Sequence, residues 1–138
     1  MYLLDTNVLS EIRKKQNANI GVRKFFERVI DANVPVYVSV ITIGELRRGI
    51  ELIRHRGDAQ QSKQLEQWLN ALLVDYGDFI LDVDEDIAQM WGKLRVPHHE
   101  NAIDKQIAAT AIINELTVVT RNVKDFHNTG AQVIDPFE

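Results

Sequence analysis

Short apolar segments alternate with longer segments in which apolar residues recur at helical spacing. Five short segments predict β-strands: YLLD at 2–5, VYVSV at 36–40, FILDV at 79–83, TVVT at 117–120 and QVIDP at 132–136. The spacing predicts helices over 7–14, 20–32, 41–56, 58–76, 84–96 and 100–116. Strands joined through helices pair in parallel, with helices on both faces. We therefore predict one three-layer α/β/α domain over residues 1–138, with a central, mostly parallel sheet.

Polar residues follow two of these strands directly. Sheets of this kind carry their functional groups at the carboxyl ends of strands. Asp5 ends the first strand, and Thr120, Arg121 and Asn122 follow the fourth. A simpler role for Asp5 is to cap the helix that follows it, although Thr6 could do that itself.

Glu45 occupies an unusual position on the helix ITIGELRRGIELIRH. It lies within the arc of apolar and small residues, one turn from Ile41 and from Gly49. A buried carboxylate is costly unless a cation or hydrogen-bond donors offset its charge. Glu45 is therefore either paired, for example with Arg48 or a neighbouring helix, or directed into a cleft.

Asp104 also lies on a face of small and apolar residues, on the helix ENAIDKQIAATAIINEL. It lies above Ala108 and Ala111, whose small side chains allow the helix to approach the sheet. Glu100 lies one turn earlier on the same face. Acids in a first helical turn are stabilised by the helix dipole, which explains Glu100 better than Asp104.

Three or four acidic residues thus belong to elements whose ends converge at one edge of the sheet. Like charges repel strongly in a partly desolvated cleft, and a hard divalent cation relieves that repulsion. Carboxylate and water oxygens are the ligands that Mg²⁺ and Mn²⁺ prefer. We therefore expect Asp5 to hold a metal ion. His98 and His99 are adjacent in a loop and are better explained as solvated residues.

Composition and net charge exclude some kinds of site and some classes of protein. The chain has 138 residues, 45% apolar and 26% charged, without cysteine. Disulfides and thiolate metal sites are thereby excluded, as in proteins of a reducing cytosol. No apolar run reaches the roughly 18 residues of a membrane span, and the start lacks a secretory leader, so we expect a cytoplasmic protein. The net charge of −4 argues mildly against nucleic-acid binding, although the basic residues occur in clusters.

Four ordered motifs carry a family resemblance: LLDTNVLSE, ITIGELRRG, AIDKQIAATA and TVVTRNVKDF. With the closing QVIDPFE, they resemble PIN-domain ribonucleases, especially the VapC-type toxins of bacterial toxin–antitoxin pairs and their FitB-like branch. The resemblance implies a Mg²⁺- or Mn²⁺-dependent endoribonuclease that leaves 5′-phosphate and 3′-hydroxyl ends. It implies that Asp5, Glu45 and Asp104 hold the metal, and that Thr6 and Asn7 orient Asp5 without binding the metal themselves.

The fourth motif departs from the simplest family pattern. Many relatives have aspartate directly after TR, where this chain has Asn122, with Asp125 three residues later. An amide oxygen is a possible ligand but brings no charge. We expect Asp125 to join the catalytic set and Asn122 to be the weaker metal ligand, and the sequence leaves open which of the two completes the site.

The resemblance also implies partners. Phosphate contacts are expected from local bases, for which the candidates are Arg47, Arg48, Arg121 and Lys124. A nuclease that harms its own cell requires a cognate VapB-like antitoxin, and a homodimer is expected. DNA would be contacted only through the antitoxin, and no membrane is expected.

Two other classes of function remain open. Phosphoaspartyl enzymes also place an aspartate after the first strand, but haloacid-dehalogenase-type phosphatases need a second acid where Asn7 stands. Receiver domains need an acidic pair ahead of the phosphorylated strand, which this chain does not supply. The other alternative is a catalytically weak PIN scaffold that represses its own operon together with an antitoxin, a hypothesis that Asn122 keeps open.

Overall fold

Five short strands form one sheet at the centre of the computed structural model, which describes all 138 residues. The strands are β1 (Tyr2–Leu4), β2 (Val36–Ser39), β3 (Ile80–Leu81), β4 (Thr117–Val119) and β5 (Val133–Ile134). Their order across the sheet is β3-β2-β1-β4-β5, and every neighbouring pair is parallel. The predicted sheet is confirmed, and β1 lies at its middle.

Six α-helices connect and cover the strands: α1 (Thr6–Ile12), α2 (Ile20–Asp31), α3 (Val40–His55), α4 (Ala59–Tyr76), α5 (Glu85–Leu94) and α6 (Ala102–Asn114). Short 3-10 turns occur at Lys15–Asn17, Gly77–Phe79 and Val123–Phe126. All six predicted helices are present. None of them is long and apolar enough to cross a membrane.

The observed elements are shorter than predicted at several ends. The segment FILDV contributes only two residues to the sheet because Phe79 belongs to a 3-10 turn and β3 lies at the sheet edge. Helix α6 begins at Ala102 rather than at Glu100, since Asn101 adopts a left-handed backbone with φ 56°. Glu100 therefore lies in the preceding loop and is exposed, so its predicted place in the first helical turn is wrong.

Two hydrophobic cores lie on opposite faces of the sheet. Leu4 belongs to the larger core, which helices α1 to α4 cover, while Leu3 belongs to the smaller core beneath α6. Adjacent strand residues point to opposite faces, so the two neighbouring leucines show that both faces are covered. In α6, Ala108 and Ala111 are completely buried. Their small side chains let α6 lie close to the sheet, as predicted.

The last residues pack against the start of α2. The Asn19 side chain accepts hydrogen bonds from the amides of Gly21 and Glu138, and donates one to the Glu138 carbonyl. A Cβ atom at Gly21 would overlap the Pro136 carbonyl oxygen and the Glu138 amide. Only glycine fits there without a shift of the backbone.

Candidate active site

Asp5 is the buried centre of the site. Its backbone is extended and its amide donates to the Val119 carbonyl, so it continues β1. Its side chain is only 6% exposed. Oδ1 accepts a hydrogen bond of 2.9 Å from the Thr6 amide, and Oδ2 accepts one of 2.8 Å from the Thr120 hydroxyl. Asp5 is thus the N-cap of α1, as the simpler hypothesis proposed, and it also has a second partner on β4.

Asn7 and Thr120 connect the ends of the two central strands. The Asn7 side-chain amide donates to the Thr120 hydroxyl at 3.1 Å, with a longer contact of 3.5 Å to Asp5 Oδ2. Its carbonyl oxygen accepts from the Arg121 amide at 3.0 Å. The Thr120 hydroxyl also accepts from the Asn122 amide at 3.0 Å. Both residues therefore fix the position and orientation of Asp5.

The structure distinguishes the two residues expected to support Asp5. Asn7 does so through its side chain, whereas Thr6 does so through its backbone amide. Thr120 was noted at the strand end but given no role. Thr120 is fully buried. The sequence signal for its role was a threonine that directly follows the two valines of the fourth strand.

The other three predicted acids lie in the same region as Asp5. Burial, and after it the nearby charges of Asp5, Asp125 and Glu45, together raise the pKa of Asp104 to about 6. Burial also raises the pKa of Asp5, with a smaller contribution from Asp125, while its hydrogen bonds from Thr120 and Thr6 oppose the rise. Three carboxylates from separate parts of the chain therefore lie close enough to Asp104 to repel its charge.

No basic side chain neutralises this cluster. None of the four carboxylates takes part in an ion pair. The suggested pairing of Glu45 with Arg48 is absent, and Arg48 is exposed. No three acidic or histidine side chains are close enough to form a preassembled ligand set. The four carboxylates, here called the acidic cleft, therefore lie in one region without converging on a single point.

Two cavities flank the central acids. Glu45 lies at one end of a groove of about 210 Å³ between α1, α3 and α4, which extends to Leu65 and Trp68. Asp125 forms part of a pocket of about 260 Å³ between α6 and the 3-10 turn that follows β4. The acidic cleft therefore opens into an apolar groove on one side and a polar pocket on the other.

The four predicted phosphate-binding residues have different surroundings. Arg47 is engaged between helices, at 3.0 Å from Glu66 and 3.4 Å from Glu51. Arg48 is exposed and unpaired. The Arg121 guanidinium lies 4.9 Å from the centre of the Phe137 ring, and Lys124 lines the pocket beside Asp125. Lys124 is thus next to one of the acids and Arg121 directly follows Thr120, while Arg47 contributes to the contact between α3 and α4.

The remaining polar candidates lie at the margin of the site. His98 and His99 are exposed, 3.4 Å and 3.9 Å from the Glu100 carboxylate, which agrees with the prediction of solvated loop residues. The Asn122 side chain is exposed and makes no hydrogen bond, so its amide oxygen is accessible.

Comparison with known proteins places this geometry in a family. A family model described as the PIN domain matches residues 2–131. The chain belongs to the PIN-domain family. The resemblance carried by the four sequence motifs is confirmed at this level.

Individual relatives match over nearly their whole length. The chain is 34% identical to Toxin FitB of Neisseria gonorrhoeae, covering 99% of each protein. It is 29% identical to the VapC ribonuclease Y4jK of Sinorhizobium fredii, covering 100% of this chain and 99% of that protein.

Solved structures agree with the sequence comparison. The chain is similar to one in the crystal structure of FitAcB from Neisseria gonorrhoeae, with a TM-score of 0.84 and 32% identity over 99% of this chain and 98% of the other. A structure of FitAB bound to an IR36 DNA fragment gives a TM-score of 0.82 and 30% identity, over 100% of this chain and 96% of the other.

Proposed function

We propose that this PIN-domain protein is the toxin of a toxin–antitoxin pair and an endoribonuclease that hydrolyses RNA phosphodiester bonds with a divalent cation. The observation that carries the proposal is the presence of Asp5, Glu45, Asp104 and Asp125 in one region, where their charges act on Asp104 and none of them has a basic partner. Such an arrangement is costly for folding alone. Binding of a cation would offset this cost, which is a physical reason to retain the four acids.

The donor set fits Mg²⁺ or Mn²⁺. All four acids supply hard oxygen ligands, as does the accessible amide of Asn122, and neither thiolate nor buried histidine competes. Because the carboxylates do not form a preassembled ligand set, cation binding would require movement of their side chains. Asp5 itself is fixed by Thr120 and Thr6, so it is the reference point for the site.

The residues of the chain have separate tasks in the proposed reaction. When bound, the divalent cation would acidify the attacking water and offset charge on the phosphoryl group. Asp5, Glu45 and Asp104 would hold the cation, with Asp125 and Asn122 at its open side. Thr120 and Asn7 keep the Asp5 carboxylate in one orientation. Arg121, stacked on Phe137, and Lys124 would contact phosphates of the RNA strand.

The partners in this proposal follow from the relatives. A crystal structure of FitAcB is similar to this chain, and we propose a cognate VapB-like antitoxin for this chain. DNA would be contacted through that antitoxin. We further propose that the protein acts in the cytoplasm as a homodimer, consistent with large apolar residues such as Val74, 80% exposed, and Ile30, 72% exposed.

A cleavage assay tests the proposed activity. Purified protein is incubated with mixed-sequence single-stranded RNA and Mg²⁺, with and without a chelator, beside the variant Asp5→Asn. Asparagine retains a capping oxygen, so the variant is expected to fold, which circular dichroism checks. We expect cleavage by the parent that the chelator abolishes and no cleavage by the variant. Equal cleavage by both proteins would refute the role of Asp5.

One observation favours a second candidate function. Asn122 replaces an acid that many relatives have at this position, which reduces the charge available to a cation. A protein with a weak site could act chiefly as a scaffold that represses its operon with an antitoxin. Growth arrest on expression, relieved by the product of an adjacent small gene, supports the toxin, whereas harmless expression with operon repression supports the scaffold.

A further inference from the structure

A polar pocket of about 260 Å³ lies beside the acidic cleft, and the two share Asp125. Its walls come from the loop before α6, the first turns of α6 and the residues after β4. The polar residues of its lining include Glu100, Asn101, Lys105, Lys124, Asp125 and Asn128. It is thus a predominantly polar pocket that opens next to the proposed reaction centre.

Lys105 is the unusual residue in this pocket. Its side chain is buried, with only 8% of the residue exposed. Its ammonium donates a hydrogen bond to the His98 carbonyl and forms no ion pair with any carboxylate. A buried ammonium is costly without a counter-charge. The pocket therefore contains a cation whose counter-charge the chain does not supply at ion-pair distance.

A second positive group lines the same space. Lys124 is exposed and has no ion-pair partner. His98 lies 3.4 Å from Glu100, and Glu100 and Asp125 are the two acids of the lining. The amides of Asn101 and Asn128 add neutral hydrogen-bond donors and acceptors. Two lysines with unpaired charge and two amides form a set suited to a phosphate and its attached sugar.

We propose that this pocket binds the phosphate of a nucleotide adjacent to the bond that is cut, with Lys105 and Lys124 as its positive contacts. The inference rests on the proposed ribonuclease function and adds a second contact point to it. Because Asp125 lines the pocket, the pocket adjoins the acidic cleft. The strand would therefore be held at the reacting phosphate and at one neighbouring phosphate, which fixes its direction through the site.

Measuring RNA binding to a variant that does not cut RNA tests the pocket directly. The Asp5→Asn protein is titrated into fluorescently labelled mixed-sequence single-stranded RNA, and the Kd is measured by polarisation at several salt concentrations. Adding Lys124→Ala to this background is expected to raise the Kd about five- to tenfold and to lower the salt slope by about 1, since one phosphate contact is lost. The matched control is Lys63→Ala, which removes an exposed lysine from α4, outside the pocket.

Lys105 needs a more conservative substitution because it is buried. Lys105→Met keeps the apolar stem and removes the charge, and circular dichroism checks its fold. We expect a loss of RNA affinity at least as large as that of Lys124→Ala. The pocket proposal is overturned if Lys124→Ala behaves like Lys63→Ala. It is also overturned if these substitutions weaken the complex with a protein partner while RNA affinity stays the same, because the pocket would then bind an acidic segment of that partner.

The two proposals fail in different ways. If the parent protein cuts RNA but Lys124→Ala changes neither its KM nor the Kd, the pocket is wrong and the ribonuclease stands. If the parent protein cuts no RNA and the Asp5→Asn protein binds no RNA, the proposed ribonuclease function is wrong and the pocket proposal falls with it. A raised KM with an unchanged kcat in Lys124→Ala supports the pocket, because a contact distant from the reacting atoms affects binding uniformly.

Discussion

The Thr120 hydroxyl donates a hydrogen bond of 2.8 Å to Oδ2 of Asp5, across 115 positions of the chain. The two residues follow adjacent parallel strands, β4 and β1, whose carboxyl ends lie side by side. The bond holds the most buried carboxylate of the site in one orientation. It also uses the full hydrogen-bonding capacity of Thr120, which accepts from Asn7 and Asn122.

Thr120→Val removes this bond while keeping the shape of the side chain. We expect RNA cleavage to fall about 10- to 100-fold, the usual effect of losing a group that orients a metal ligand. The folded state should also lose about 1–3 kcal/mol, because the Asn7 and Asn122 donors lose their acceptor. Thr120→Ser keeps the hydroxyl and is expected to restore activity. If valine and serine variants cleave equally, the hydroxyl has no positioning role.

The contribution of Asp104 to the stability of the protein without divalent cations should fall as the pH rises from about 4 to about 6. The pKa of Asp104 is raised from 3.8 to about 6 in the folded protein, so the folded state binds this proton more tightly than the unfolded state does. Its destabilising charge is fully present above about pH 6. Because Asp104 is half exposed, we expect its contribution to be only about 1 kcal/mol after allowance for solvent screening.

Urea denaturation of Asp104→Asn measures this contribution. The variant should be more stable than the parent near pH 7 and equal to it near pH 4, where the parent Asp104 is largely protonated. Mg²⁺ should stabilise the parent near pH 7 more than the variant. A variant that is less stable than the parent near pH 7 would show that Asp104 has a favourable partner.

Gly21→Ala should destabilise the protein by about 1–3 kcal/mol, the usual cost of overpacking. The added Cβ would overlap backbone atoms of Pro136 and Glu138, which cannot move as easily as a side chain. The control is Gly92→Ala in α5, where a Cβ meets no atom within 4 Å. Alanine there should stabilise the helix by about 0.5–1 kcal/mol. We expect the thermal midpoint to fall in Gly21→Ala and to rise in Gly92→Ala. Equal changes in the two variants would show that a Cβ atom at Gly21 causes no costly overlap.

Arg48→Ala should weaken RNA binding more than Arg47→Ala. Both residues were expected to contact phosphate, but Arg47 is engaged with Glu66 and Glu51, whereas Arg48 is exposed without a partner. Polarisation titrations at increasing salt separate the two, since only a real phosphate contact reduces the slope. A larger loss for Arg47→Ala would mean that Arg47 leaves its ion pairs when RNA binds.

Much of the fold could be predicted because the apolar pattern changes period clearly between strands and helices. The parallel arrangement followed from the length of the connections, and the position of Asp5 followed from its place after β1. Helix boundaries were less accurate. The left-handed backbone of Asn101, which delays α6, has no clear sign in the sequence.

The site itself was predicted unevenly. The proximity of Asp5, Glu45 and Asp104 was expected from a strand end and from helix faces, and that of Asp125 from the resemblance of the fourth motif. The role of Thr120 depended on the register of β1 against β4, which the sequence does not specify. The engagement of Arg47 depended on the packing of α4 beside α3, and the burial of Lys105 on the path of the loop before α6. Such features arise from tertiary contacts between distant segments.

Calorimetric titration of Mn²⁺ into the protein without RNA tests the central claim most directly. The parent should bind the ion at a defined stoichiometry, and Asp5→Asn, Glu45→Gln and Asp104→Asn should each lose most of that affinity while remaining folded. A parent that binds no ion, or variants that bind it as tightly as the parent does, would contradict a cation site formed by these carboxylates.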